Sequence, residues 1–203
     1  MDLVPKCGRK VSAFEKFSQT RRSETRKAIK QGLVEIKEIE TASELAELYK
    51  ISCDWNARKG NANDSFARMQ AAAVQRENRR IFIAKAKGKV IAGSFYRFAP
   101  GCVVEYAANF SIPAYHKLRP NDLIGWHAIQ WACENGFSHF SMGGSHLFLR
   151  RFGGEVITTY RYKQDLRKFG MNVLRERTLE FGGEAYRRLP ENLRHGMRKV
   201  FAR

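Results

Sequence analysis

Between Ile81 and Phe110 the sequence turns apolar with a period of two, and this stretch constrains the fold more than any other. IFIAKAKGKVIAGSFYRFA (81–99) reads as two short strands joined at Lys87-Gly88-Lys89, a hairpin signal, and Pro100-Gly101 turns the chain into a third strand, CVVEYAANF (102–110). Successive side chains of a strand point to opposite faces. On that rule Val104, Tyr106, Ala108 and Phe110 share one face, and Glu105 and Asn109 share the other.

The flanking segments change to helical spacing. SAFEKFSQTRRSETRKAIKQ (12–31) carries Ser12 as an N-cap with Glu15 three residues on, is closed by Gly32, and reads as one basic helix or as two broken near Ser18. LVEIKEI (33–39) alternates like a half-buried strand. Thr41 then caps a helix over 42–58, Glu44 completing a capping box and Leu45, Leu48 and Ile51 or Cys53 forming its buried stripe. Asp64 opens another helix to about Glu77. After the three strands comes the loop PAYHKLRPND, an apolar-striped helix over 123–135 ended by Gly136, and a strand in FSHFSMGG; VITTYRYKQD (156–165) reads as a further strand and 171–203 as helical pieces around Pro190. This order predicts an α+β fold, a mixed and mostly antiparallel sheet with helices on both faces, rather than a repeating βαβ sheet.

Composition narrows the partners. The formal charge is +17, and its excess sits at the ends: residues 1–37 carry ten basic against four acidic residues, and 161–203 carry twelve against five. Such ends suit RNA phosphates, the anionic lipid face of the inner membrane, or a merely solvated surface. No stretch approaches the roughly 20 apolar residues of a membrane span, and MDLVPKCGRKVSAFEKF lacks the apolar core of a signal peptide, which points to the cytoplasm, with the inner-membrane surface as the other location. The four cysteines, Cys7, Cys53, Cys102 and Cys133, form no CxxC pair, so no metal site is encoded locally.

Several stretches in their order resemble the GNAT acyltransferase fold, and more narrowly the FemAB-type aminoacyl-tRNA-dependent peptidoglycan bridge-forming ligases and their relatives. FSQTRRSETRKAIKQGLVE resembles an Arg-containing helix running into a strand, and LAELYKISCDWNARKG the helix that follows. GKVIAGSFYRF and LRPNDLIGWHAIQWACENGFSHFSMGG resemble the strand and Pro-led helix before a glycine-ended strand, and HLFLRRFGGEVITTY a Phe-Lys-x-x-Phe-Gly segment. The resemblance covers about 14–165 and implies three parts: a basic helical extension (1–32), a GNAT-like acyltransferase domain (33–165) and a basic helical tail (166–203). Full-length FemAB members resemble two tandem GNAT domains; this chain corresponds to the second. That implies an exposed face and a homodimer or a partner subunit to complete the cleft. The family's lysine position holds Leu149, followed by Arg150 and Arg151, and HKLRPND stands where other members carry a Gly-rich pyrophosphate turn.

What the resemblance implies is transfer of an acyl or aminoacyl group to an amine, from acyl-CoA or an aminoacyl-tRNA, with no permanently bound cofactor, in cell-wall or exopolysaccharide metabolism. Such transfer needs a base, a polarised carbonyl and proximity. Glu105 is the candidate base, set against an ordinary surface carboxylate paired with a cation. His116 is a candidate for donor contact or proton transfer, set against a loop histidine, and Asn109 joins it as an acceptor-side or loop candidate. Arg119 and Asn121 stand at a helix entrance that favours anions, although Asn121 and Asp122 are first of all N-caps. In GGSHLFLRRFGGE, Gly143 and Gly144 let a donor pass close to the backbone, Ser145 adds a hydroxyl, and Arg150 or Arg151 takes the phosphate contact in place of the lysine; the plain alternative is a tight turn with solvated arginines. Against the enzyme stands a shortened, non-catalytic relative that binds nucleic acid or a partner protein through its basic surface.

Overall fold

A computed structural model describes residues 2–3, 10–144 and 147–158. Its order is β1 (Asp2–Leu3), α1 (Lys10–Glu15), α2 (Gln19–Gln31), β2 (Glu35–Glu38), α3 (Ala42–Lys59), α4 (Phe66–Val74), β3 (Arg79–Ala86), β4 (Lys89–Ala99), β5 (Val103–Ser111), a 3-10 helix (Pro113–Leu118), α5 (Pro120–Glu134), β6 (His139–Ser141) and α6 (Leu147–Arg150). The six strands form one sheet in the order β1-β6-β5-β4-β3-β2. Every pairing is antiparallel except β5 with β6, which are joined through α5 as a parallel pair requires. This is the mixed α+β sheet the sequence predicts.

Local chemistry sets the helix ends. The first basic segment is two helices: Ser12 lies inside α1, and Ser18 is the cap, its hydroxyl accepting from the Arg21 N–H at 3.4 Å, while Gly32 closes α2 in the left-handed conformation. Thr41 and Glu44 form the expected capping box of α3. Ser65, not Asp64, caps α4, because the Ser65 hydroxyl reaches the Arg68 N–H; the helix stops at Val74. The strand read in 156–165 has no counterpart at 156–158, and its remainder lies outside the described residues, as does the tail at 171–203. Among the described residues no helix is long and apolar enough to cross a membrane.

Helices cover both faces of the sheet. On one, Leu45, Leu48 and Ile51 of α3 with Met69 of α4 pack against Ile81, Ile83 and Val90. On the other, Ile124, Ala128 and Ile129 of α5, with Ala13 and Phe17, pack against Phe82, Ala84, Tyr96, Val104 and Phe140. Burial at roughly 25 cal/mol per Å² of apolar surface makes these two cores the main source of stability.

The face assignment along β5 changes halfway. Tyr96 pairs Tyr106 but Phe95 pairs Ala108, so Ala107 is an extra, unpaired residue, a β-bulge. Val104 and Tyr106 face α5, as expected. Beyond the bulge the alternation is shifted by one: Asn109 and Ser111 now face α5, and Phe110 joins the α3 side beside Phe95. The expected grouping of Phe110 with Val104, and of Asn109 with Glu105, is therefore corrected. A slip of one residue flips every later side chain.

Candidate active site at a strand fork

The bulged strand is also where the sheet opens. β5 and β6 pair across three residues only, Val103↔His139, Val104↔Phe140 and Glu105↔Ser141. Past Glu105 the chain after β6 leaves, so β5 from Tyr106 to Ser111 keeps its ladder with β4 while its other edge has no strand partner among the described residues. Gly143 marks the departure: it has φ +70°, and a side chain there would lie 2.9 Å from the Tyr106 carbonyl oxygen.

The floor of the open side is polar. Asn109 Nδ2 donates to Ser94 Oγ at 2.8 Å and to Asn121 Oδ1 at 3.1 Å; Asn121 Nδ2 donates to Ser111 Oγ at 3.2 Å; Ser111 Oγ lies 3.0 Å from His116 Nε2. Ser94 and Ser111 are buried and His116 is exposed. At the other end burial pushes the Tyr106 phenol up to about 12 and raises that of Tyr96, so both stay protonated at neutral pH.

Over the Ser111 end stands a cleft of about 250 Å³ lined by His116, Arg119, Pro120, Asn121, Asp122 and Phe148. Arg119, in the left-handed conformation, starts α5 with no side-chain cap, and Pro120 at the first turn contributes no N–H. Protein carboxylates already answer the local cations: Arg119 pairs with Glu24, and Arg21 with Asp122 at 2.8 Å. Arg21 is 3% exposed, also donates to the Phe148 carbonyl at 3.1 Å, and stacks on the Phe148 and Phe152 rings. Burial lowers the Arg21 pKa and raises that of Asp122, with each partner opposing the other's shift. Among the described residues no group of three His, Cys, Asp or Glu side chains is placed to hold a metal ion.

The sequence candidates fall into three places. Asn109, Asn121 and His116 meet in one hydrogen-bonded row, with Arg119 on the adjoining cleft. Glu105 stands apart: it is at the fork but on the α3 side of the sheet, 40% exposed and paired with Arg97 at 3.0 Å. Gly143 and Gly144 lie beyond β6, Arg150 and Arg151 are exposed, and Ser145 lies outside the described residues. Arg151 is near enough for its charge to act on Arg21 and Asp122, and its carbonyl accepts from the Ser18 N–H at 2.9 Å. Gly153 has φ +76°, and a side chain there would meet the Lys16 carbonyl at 1.6 Å, so that glycine serves the segment's own docking on α1. Arg21, Ser94 and Ser111 escape the sequence reading. The signal for Arg21 is its place on one helical stripe with Thr25 and Ala28, the buried residues of α2.

Comparison with known proteins agrees with this geometry. The model of the acetyltransferase (GNAT) domain matches residues 15–164. FemX superposes with a TM-score of 0.61 at 12% identity over 84% of this chain and 56% of FemX, so the chain spans little more than half of that protein. An aminoglycoside acetyltransferase from an uncultured soil metagenomic sample superposes at 0.53 with 12% identity, covering 66% of this chain and 99% of its own. The C-terminal domain of a putative lysylphosphatidylglycerol synthetase from Agrobacterium fabrum gives 0.51 at 14% identity over 66% of this chain and 52% of its own. At these identities the likeness is one of fold. No curated protein matches the chain in sequence.

Proposed function

This chain belongs to the GNAT acetyltransferase family, whose domain is an acyltransferase domain, and from that premise we propose that it transfers an acyl or aminoacyl group to an amine along the free edge of β5. One observation carries the reading: a bulged strand parts from its parallel neighbour after three pairs, and its edge from Tyr106 to Ser111 has no strand partner among the described residues. Backbone groups of such an edge can pair with an extended donor as a further strand would, and an N–H directed at the donor carbonyl stabilises the charge that develops on its oxygen when nitrogen attacks.

The donor is a thioester or the ester of an aminoacyl-tRNA. Features of the cleft favour the second. HKLRPND contains no glycine, Pro120 removes an N–H from the helix entrance, and Glu24 and Asp122 hold the nearby cations, all of which make a poor cradle for a diphosphate. A chain of +17 suits a polyanion as large as tRNA. For a thioester donor, whose long arm could carry the carbonyl to the fork, Glu105 is the base for an amine arriving on the α3 side, and its pair with Arg97 exchanges as the amine binds. Arg150 and Arg151, exposed beside the cleft, are the phosphate contacts.

The test is transfer itself. The protein is incubated with acetyl-CoA or with aminoacyl-tRNA and a panel of primary amines, and the acceptors are weighed by mass spectrometry. An amide product that disappears with boiled protein is expected. Tight tRNA binding with no product from either donor would replace the enzyme with a binding protein.

A further inference from the structure

The free edge of β5 has two polar ends. Glu105 is opposite Arg97 and Ser111 is opposite Ala92, five residues apart on β4, or about 17 Å at the rise of a strand. A donor whose phosphate rests in the cleft reaches the Glu105 end only through a long arm. In the ester of a nucleoside a single ribose separates phosphate from carbonyl, so the carbonyl stays at the Ser111 end, where His116 lines the cleft.

We infer that His116, fixed by Ser111 and Asn121, is a catalytic acid and base for a nucleoside-ester donor bound at the start of α5. The inference rests on the acyl transfer proposed above. Ser111 is 3% exposed and its oxygen has two neighbours: Asn121 Nδ2, which donates at 3.2 Å, and His116 Nε2 at 3.0 Å. With Nε2–H as the second donor, both lone pairs of Oγ are used and the other ring nitrogen, Nδ1, keeps its lone pair. Asn121 is itself held by Asn109, and Asn109 by the buried Ser94, so the ring is anchored through four side chains to the middle of the sheet. An ordinary loop histidine needs no such anchor.

The chemistry balances with the residues present. The amine nitrogen forms a bond to the ester carbon, the bond from that carbon to the ribose oxygen breaks with its electron pair, and the proton shed by nitrogen moves to Nδ1 and then to the ribose oxygen. An alkoxide is a poor leaving group without that proton, whereas a thiolate leaves unaided. The charged groups around the ring are Arg119 and Asp122 in the cleft, Lys117 next in the chain, Arg58 of α3, which donates to the Ser111 carbonyl at 3.4 Å, and Glu24 and Arg21 of α2 behind Arg119 and Asp122.

The measurement is single-turnover transfer from alanine-charged tRNA to glycinamide across pH, with acetyl-CoA as the alternative donor. His116→Gln should lower transfer from the tRNA about 100-fold and flatten the acid limb of the rate profile, with binding of uncharged tRNA and thermal melting unchanged. Ser111→Ala should give a smaller loss in kcat at unchanged KM. His116→Gln protein that transfers at the wild-type rate with its acid limb intact overturns the inference. Wild-type protein that uses acetyl-CoA alone, indifferent to His116→Gln, overturns it too but leaves the proposed function standing. Transfer from neither donor removes both.

Discussion

Arg21 makes an ion pair, a hydrogen bond to a main-chain carbonyl and two ring contacts while almost fully buried. Its partners belong to α5 and to the segment after β6, so one side chain ties α2 to the cleft wall. Removing one member of a buried pair leaves the other charge without compensation, at a cost of about 3–5 kcal/mol. Arg21→Ala should lose that much in chemical denaturation, and Arg21→Lys should recover little of it, since ammonium can neither fork to two acceptors nor stack on Phe148 and Phe152. Five basic residues, Arg21, Arg22, Arg26, Lys27 and Lys30, crowd this helix, and charge alone does not tell which one is inside. Only the spacing of Arg21 with Thr25 and Ala28 marks it, and an arginine on a buried stripe reads as surface until its acid partner, a hundred residues away, is known.

At the scale of elements, what the sequence expresses locally is legible. The capping box of α3 and the β3–β4 turn each lie within a few residues, and both stand where the pattern puts them. Glu44 shows the strength of such a local device. Burial works to raise its pKa, yet N–H groups of Glu40 and Thr41 and the ammonium groups of Lys85 and Lys37 bring it down to about 2. A depressed carboxyl contributes stability that is present above its ordinary value and lost as pH falls through the folded one. Glu44→Gln should therefore be destabilised at neutral pH, by about 1–3 kcal/mol for the lost charged hydrogen bonds, and the gap to wild type should close between about pH 4.5 and 2 in acid titrations followed by circular dichroism. The bulge at Ala107 was not legible, because apolar residues at 104, 106, 108 and 110 look like one unbroken face; the extra residue is visible only against β4. Deleting Ala107 removes only the unpaired residue and keeps Tyr106 opposite Tyr96 and Ala108 opposite Phe95, so Asn109 and Ser111 should stay on the α5 side and transfer should persist in the mass-spectrometric assay. Gly153→Ala, forced against the Lys16 carbonyl at a positive φ, should detach the segment carrying Arg150 and Arg151 and cost roughly 1–3 kcal/mol, measurable by thermal melting and by faster proteolysis after β6.

For the whole molecule the sequence was most informative about fold class and charge, and least about which side chains the two ends of the β5 edge bring together. Residues placed together by the fork, Ser94 with Asn109 and Asn121 with Ser111, come from three elements and share no motif. The charge of +17 predicts a steep salt dependence. If about six phosphates are neutralised, tRNA affinity should fall by roughly a thousandfold between 50 and 200 mM salt in filter binding, and a flat response would exclude tRNA as donor. The buried arginine also sets an order of events during synthesis. Helix α2 leaves the ribosome long before Phe148 and Phe152 exist to cover its guanidinium, and at roughly 5–20 residues per second that wait lasts on the order of ten seconds. Until then the nascent helix carries a cation on the stripe that is to be buried, so it stays in water, and the cleft is assembled only when the far end of the domain has been translated.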